Sequence, residues 1–427
     1  MRKPLSFTLW FLLLALLAGC SNLPVIGQTA SDTATPTMPP TAEPDLPVAT
    51  EEGNLPITLQ IWIPDEFAPN EENDPGSVLQ QRLTAFSERH PGVRVDVRIK
   101  AAQGSANLYE SLTAASAAAP LALPDLILLP KDDMLEAASN DLIFPIDDFL
   151  LEPRAEDWYS FAVEMGQYQG KTYSLPFAVD ALIMAYRPAL LEVVPSDWQL
   201  VAETPGSLIF PAADPLSLFT IAEYLSEGVQ IYDDNQALYL DLDALTAVLN
   251  FYSQGQATNS IPFWLTQYDS QQAAWDAFLS GRGHMSIIWS NQYFQQDNNG
   301  NLLASPIPTS SGTPFTLTTS WVWALTGSNP DRHQIAVELA LFLTEPEFLG
   351  QFTFSAGYLP PRADSLAVWP ESNQLALASQ ILPSAQVLPP KNDLIILGEP
   401  LSIAVIEVLK QENSPEEAAQ NAIDSLP

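Results

Sequence analysis

The sequence predicts an α/β fold in two lobes, and three observations carry that expectation. Segments of period-two apolar alternation trade places with segments of helical period over residues 57–129, which is the layering of sheets covered by helices. Asp125–Leu129 (DLILL) is a short, nearly continuous apolar run, the pattern of a strand buried on both faces of a parallel sheet. The folded body from residue 55 onward is also longer than one hydrophobic core usually supports.

Taken in order, Ile57–Ile63 (ITLQIWI) alternates as a first strand. Val78, Leu79, Leu83 and Phe86 then share one face of a helix that stops at His90-Pro91-Gly92. Val93, Val95, Val97 and Ile99 alternate as a second strand, Leu108–Ala119 is an Ala-rich helix, and Asp125–Leu129 is the third strand. Ligands of such sheets sit beyond the carboxyl ends of the strands, which points to the loops at Pro64-Asp65-Glu66 and Pro130-Lys131-Asp132. Later helices are expected at 241–254, 331–343, 402–410 and 415–423, with another ending over 275–281 at a Gly stop, and a strand at His284–Trp289.

The chain begins as exported proteins do. Arg2 and Lys3 precede an uncharged apolar run, Leu5–Leu17, that ends at Leu17-Ala18-Gly19-Cys20. A basic start, a short apolar core and small residues before a cut describe a signal peptide over residues 1–19. The run is too short to span a bilayer as a helix. Leu-Ala-Gly-Cys looks like a bacterial lipobox, and Cys20 is the only cysteine, so it is the expected lipidation site and intramolecular disulfides are excluded. Acyl chains there would hold the protein to a membrane, on the outer face of the cytoplasmic membrane or in the periplasm. Residues 20–54 are rich in Thr, Pro, Ala and acids; such a segment cannot bury enough surface to fold and serves as a tether.

Acids outnumber bases 51 to 16, for a formal net charge of −35. That field repels nucleic acid and anionic headgroups and disfavours polyanionic ligands. Neutral solutes and cations both remain open.

The order of segments resembles the family 1 bacterial extracellular solute-binding proteins, the group that includes maltose-binding protein. Phe86-Ser87-Glu88-Arg89-His90-Pro91-Gly92-Val93-Arg94-Val95 is similar to the family's F-x-x-x-x-P-G-I-x-V, and Pro124-Asp125-Leu126-Ile127 to its P-D-[IV]-[IV]. Leu142–Leu150 (LIFPIDDFL) resembles G-x-L-x-P-L-D-D-Y-L. Gly170–Pro176 (GKTYSLP) with Leu182–Arg187 resembles G-K-x-Y-x-x-P…L-x-Y-N-K, and Phe278–Met285 resembles F-x-x-G-x-A-A-M. Each motif is weak alone, but their shared order behind a lipobox and tether is specific.

The resemblance implies a two-lobed, type II periplasmic-binding-protein fold with the solute in a cleft between lobes joined by crossing strands. By position, 55–178 and 320–360 form the N-terminal lobe, and 179–319 and 361–427 the other. Hinge closure lets a transporter tell loaded from empty protein. The implied partners are a small solute and the separate permease subunits of an ABC importer. The expected chain is a monomer that carries no cofactor and binds no nucleic acid.

Carboxylates and amides bind sugar hydroxyls, and rings lie against C–H faces. Against the maltose-binding pattern, Asp132 matches a hydroxyl-binding Asp after the third strand, Asp180 an acidic residue at the lobe crossover, and Asp214 an acid before proline in the second lobe. Any one of them can equally be a solvated carboxylate or a helix cap. Asp65 and Glu66 are candidates by location alone. Trp289 and Tyr293 follow the A-M strand where the family places a stacking aromatic, and Trp321 enters the second crossover; each is equally read as core. Leu216, Asp133 and the stretch Gly398-Glu399-Pro400 depart from the pattern, so maltodextrin is not carried over as the ligand.

A mono- or oligosaccharide is therefore the expected solute, with a polyamine, peptide or chelate as the alternative. A secreted glycoside-active enzyme is a weaker rival: His90, His284 and His333 stand far apart, with no H-E-x-x-H or G-x-S-x-G. A sensor on the same fold is the third. Metal binding is not expected, because Asp297-Asn298-Asn299-Gly300 reads as a turn and lacks the downstream Glu of a calcium loop.

Overall fold

The computed structural model describes residues 57–69, 74–150, 157–296 and 300–427; the signal segment, Cys20, the tether and residues 297–299 lie outside them. The alternating ITLQIWIP segment forms β1 (Ile57–Pro64), and β2 (Val93–Lys100) pairs with it in parallel from Ile57↔Val93 to Pro64↔Lys100. Along β2, half-buried Val93, Val95 and Val97 alternate with exposed Arg94, Asp96 and Arg98, the charged outer row of a protected edge. β3 (Leu126–Pro130) lies on the other side of β1, and its Leu126–Leu129 are buried as the unbroken apolar run predicts.

A small hairpin, β4 (Gln167–Tyr168) with β5 (Lys171–Thr172), stands apart from the main sheet. The remaining strands are β6 (Ser174–Tyr186), β7 (Leu208–Ile209), β8 (Met285–Trp289), β9 (Leu303–Ser305), β10 (Thr316–Leu325) and β11 (Ala385–Val387). The main sheet runs β2-β1-β3-β10-β6-β8-β7, with β11 on β10 and β9 on β6.

Two strands cross from one lobe to the other. The first part of β6 pairs antiparallel with β10, from Ser174 to Ala181; the second part, Leu182–Tyr186, pairs with β8. Every residue of β6 is buried except Asp180, which is half-buried. A register shift between Trp321 and Val322 bends the pair, as bulges do. β6 thus lies along one edge of β10. The other edge is shared end to end: β3 runs antiparallel to β10 and stops opposite Trp321, while β11 runs parallel to it and stops opposite Thr318.

Three cores follow from this sheet. Leu59, Ile61, Phe86, Phe177, Trp323 and Phe352 pack on one face of the β1–β3 end, and Trp62, Leu112, Ile127, Met134 and Val322 on its other face. Ile183, Phe210, Tyr252, Trp275, Ile287 and Leu401 belong to the third core, in the other lobe. The short helix Ser160–Met165 contributes Phe161 and Met165 to that third core.

The helices expected from apolar spacing form at Asp74–Arg89, Leu108–Ala118, Leu242–Thr258, Gln271–Leu279 and His333–Phe342. Pro415–Asp424 carries a capping box between Ser414 and Glu417. One boundary differs. The helix expected to begin at Ser402 starts at Lys391 and runs through Gly398 and Pro400 to Leu409. Gly398 reads as a breaker, yet a Cβ there would stand 2.1 Å from the Pro215 carbonyl oxygen, so the glycine is required by close packing against the 214–216 turn. Among the described residues no helix is long and apolar enough to cross a membrane.

Candidate functional site

The carboxyl end of β1 delivers Asp65 and Glu66 to a short turn, both exposed, followed by buried Phe67. The hydroxyl of Tyr358 donates to Glu66 Oε2 at 3.0 Å. Trp321, on β10, reaches the same place through Phe67, whose ring it shares with Tyr358. Phe67 fills the space beneath, edge-on to Trp321 at 5.6 Å between centroids and 5.4 Å from Tyr358. Burial raises the Glu66 pKa, the Tyr358 hydrogen bond partly offsets this, and the charges of Asp65 and Asp180 raise it further. Burial likewise pushes the Tyr358 phenol up.

Asp180, on β6 opposite Thr319 of β10, holds the second lobe's helix Ser290–Phe294. It accepts from Ser290 Oγ at 2.7 Å and from the N–H groups of Asn291 at 2.9 Å and Ala181 at 3.0 Å. Burial nevertheless dominates and lifts its pKa to about 6. From the same helix, Asn291 Nδ2 donates to the Gly357 carbonyl at 3.2 Å, and Leu359 exchanges backbone hydrogen bonds with Val179 at 2.8 and 2.9 Å. The loop 357–359 therefore touches the first-lobe carboxylate, the crossing strand β6 and the second-lobe helix.

Asp65, Glu66, Asp180 and Trp321 are thus brought together. Half-buried Trp289 ends β8 opposite Leu182, two residues beyond Asp180. The others have different surroundings. Tyr293 is 6% exposed within the third core, and its hydroxyl donates to the Leu302 carbonyl at 3.3 Å. Asp214 is buried, and its two oxygens accept the N–H groups of Leu216 and Leu218, each at 3.0 Å; it caps the chain entering the helix Leu218–Ser226. Asp132 Oδ1 is buried 3.4 Å from Lys131 Nζ and makes no hydrogen bond among the described residues. Burial and the neighbouring Asp132 raise the pKa of Asp133 to about 6.

Sequence reasoning missed Tyr358 and Asn291. Tyr358 lies between Gly357, whose φ of +70° ends the helix Pro346–Ala356, and Pro360-Pro361. That punctuation marks an ordered loop and was the available signal.

The fold is shared with known proteins. The sugar-binding protein MalE from Xanthomonas citri superposes with a TM-score of 0.70 at 18% identity, over 86% of this chain and 96% of that one. The cyclic α-maltosyl-1,6-maltose binding protein from Arthrobacter globiformis gives 0.69 at 16% identity, over 87% and 98%. The GacH receptor of Streptomyces glaucescens gives 0.62 at 19%, over 86% and 96%. These likenesses establish the two-lobed binding-protein fold. In sequence, the maltotriose-binding protein of Pyrococcus abyssi is 23% identical over 172 residues, 38% of this chain and only 37% of that protein. The family model for bacterial extracellular solute-binding proteins matches residues 81–377, and the chain belongs to that family. Membership implies an exported solute-binding protein.

Proposed function

We propose that this protein captures a neutral mono- or oligosaccharide at the crossing strands and hands it unaltered to its importer. The observation that carries the reading is the Tyr358–Glu66 hydrogen bond beside the Trp321 ring: a solvent-reachable carboxylate fixed among aromatic side chains. A carboxylate so fixed accepts from sugar hydroxyls, and adjacent rings cover C–H faces. Sugar ligands named for the Pyrococcus, Xanthomonas and Arthrobacter relatives support the same class.

The lobe division at 55–178 with 320–360, and 179–319 with 361–427, is supported by the separation of the cores, with helix Ser160–Met165 packing across it. Attachment through a lipidated Cys20, with residues 21–54 as a spacer, completes the proposal and rests on the sequence alone.

The test is a thermal-shift and calorimetric screen of neutral sugars against amines. Saturation by a neutral sugar with one-to-one stoichiometry is expected. If only amines raise the melting temperature, Asp65, Glu66 and Asp180 form a cation site and the sugar reading falls.

A further inference from the structure

We infer that Lys131 is a positioning residue that fixes the pivot between the lobes and thereby sets solute affinity; this rests on the solute-binding reading above. The strand pairing places the problem. β3 and β11 occupy one edge of β10 from opposite directions and stop opposite Trp321 and Thr318, so their carboxyl ends face each other across Thr319 and Ser320. β3 belongs to the first-lobe cores, and Ala385 of β11 to the third. At that gap the two half-sheets have no strand pairing to each other along this edge. Lys131, the residue after β3, spans it: its Nζ donates to the carbonyl of Leu388, the residue after β11, at 2.8 Å. The Leu388 N–H in turn donates to the Thr318 carbonyl at 2.8 Å. A first-lobe side chain is thus attached to a peptide that is itself attached to a crossing strand.

Core packing does not account for a lysine here. The residue is 4% exposed, and burying an ammonium is costly unless it is paired. Its partners are the Leu388 carbonyl and Asp132 at 3.4 Å, and burial lowers its pKa. It also lines a cavity of about 450 Å³ with Leu135 from its own helix and Leu225, Ile231, Val387 and Pro390 from across the gap. Beside the clasp, then, the lobes are not packed solid and have room to change angle. Hinge motion displaces atoms least next to the crossing strands, so a bond at that place persists through closure and confines the motion to one axis. Without it, the unliganded protein samples more lobe arrangements, and binding must overcome a larger ordering entropy.

The experiment compares wild type, Lys131→Met and Lys131→Arg in the full-length mature protein. Amide hydrogen exchange is read without solute, and affinity is read for the neutral sugar that stabilises the wild type. For Lys131→Met, exchange should accelerate about tenfold or more at Leu388 and the β3 and β11 ends while helix Leu242–Thr258 keeps its protection. The dissociation constant should rise roughly tenfold, and Lys131→Arg should recover most of both. Unchanged exchange at Leu388 together with unchanged affinity overturns the inference. A uniform loss of protection in both lobes with unchanged affinity also overturns it, since Lys131 then contributes stability alone. If no sugar stabilises the wild type, the functional reading has failed, while the exchange contrast still judges the clasp.

Discussion

The hydroxyl of Tyr358 donates to the carboxylate of Glu66 at 3.0 Å, joining a residue late in the chain to the turn after the first strand. Tyr358→Phe keeps the ring against Phe67 and removes only this bond. A hydrogen bond to a charged group contributes about 1.5–3 kcal/mol, so isothermal titration should show sugar affinity reduced about tenfold. Unaltered affinity in the Phe variant would separate the Glu66 turn from the solute.

The carboxylates should separate into two classes. Glu66 is exposed and caps no helix but accepts from the Tyr358 hydroxyl, so Glu66→Ala should lower affinity about ten- to a hundredfold and lower thermal melting only slightly. Asp214 accepts two backbone N–H groups at a helix entrance, so Asp214→Ala should cost about 1–2 kcal/mol in denaturant unfolding whatever happens to binding. Equal melting of Asp214→Ala and wild type would contradict the capping role.

A pH effect is expected from Glu223, which is fully buried in the second lobe with one oxygen accepting from the Trp198 indole and the other without a hydrogen bond among the described residues. Burial raises its pKa well above the ordinary carboxylate value. A raised carboxylate pKa means that the folded state holds its proton more tightly than the unfolded state does. The resulting stability is complete below the unfolded pKa, about 4.3, and is lost as pH rises from there through the folded pKa. Glu223→Gln should therefore gain stability relative to wild type as pH rises. A constant difference in unfolding free energy between pH 4 and pH 9 would show that the group does not titrate.

The proposed membrane anchor depends on one residue, Cys20, which lies outside the described structure. Cys20→Ser should abolish metabolic lipid labelling and leave either uncleaved precursor or released protein. Persistent labelling and membrane retention in that variant would remove the lipoprotein assignment.

Most of the fold was legible because burial imposes a period. Val93–Val97 alternate in burial along the edge strand, Leu126–Leu129 are buried without a break, and β1 alternates at its start but buries both faces from Ile61 onward, where β3 covers its other side. The helix start at Lys391 was hidden because Gly398 answers to a neighbour, Pro215, nearly two hundred positions away. The site was less legible for the same reason. Acid-before-proline at Asp214 reads alike for a ligand residue and for a cap, and only the positions of Leu216 and Leu218 reveal the backbone bonds. Tyr293 and Trp289 stand four residues apart with equal claims in the sequence, yet one packs in the core while the other stays half-exposed. Tyr358 has no periodic neighbours at all; its importance comes from contacts with residues 66 and 67.

The end-to-end sharing of β10 also sets an order of events for a chain made from its amino end. β1, β2 and β3 are complete by residue 130, but the strand that covers the outer edge of β3 is not synthesised until residues 316–325. Until then β3 presents an open row of backbone groups of the kind that invites pairing with other chains, and such long-range pairings are slow to form. Neither lobe can finish its sheet before β10 is made, and the second waits further for β11 at residues 385–387. The nascent protein thus completes its sheet late in its synthesis, and an export route that keeps it unfolded until residue 325 has emerged protects its most vulnerable edge.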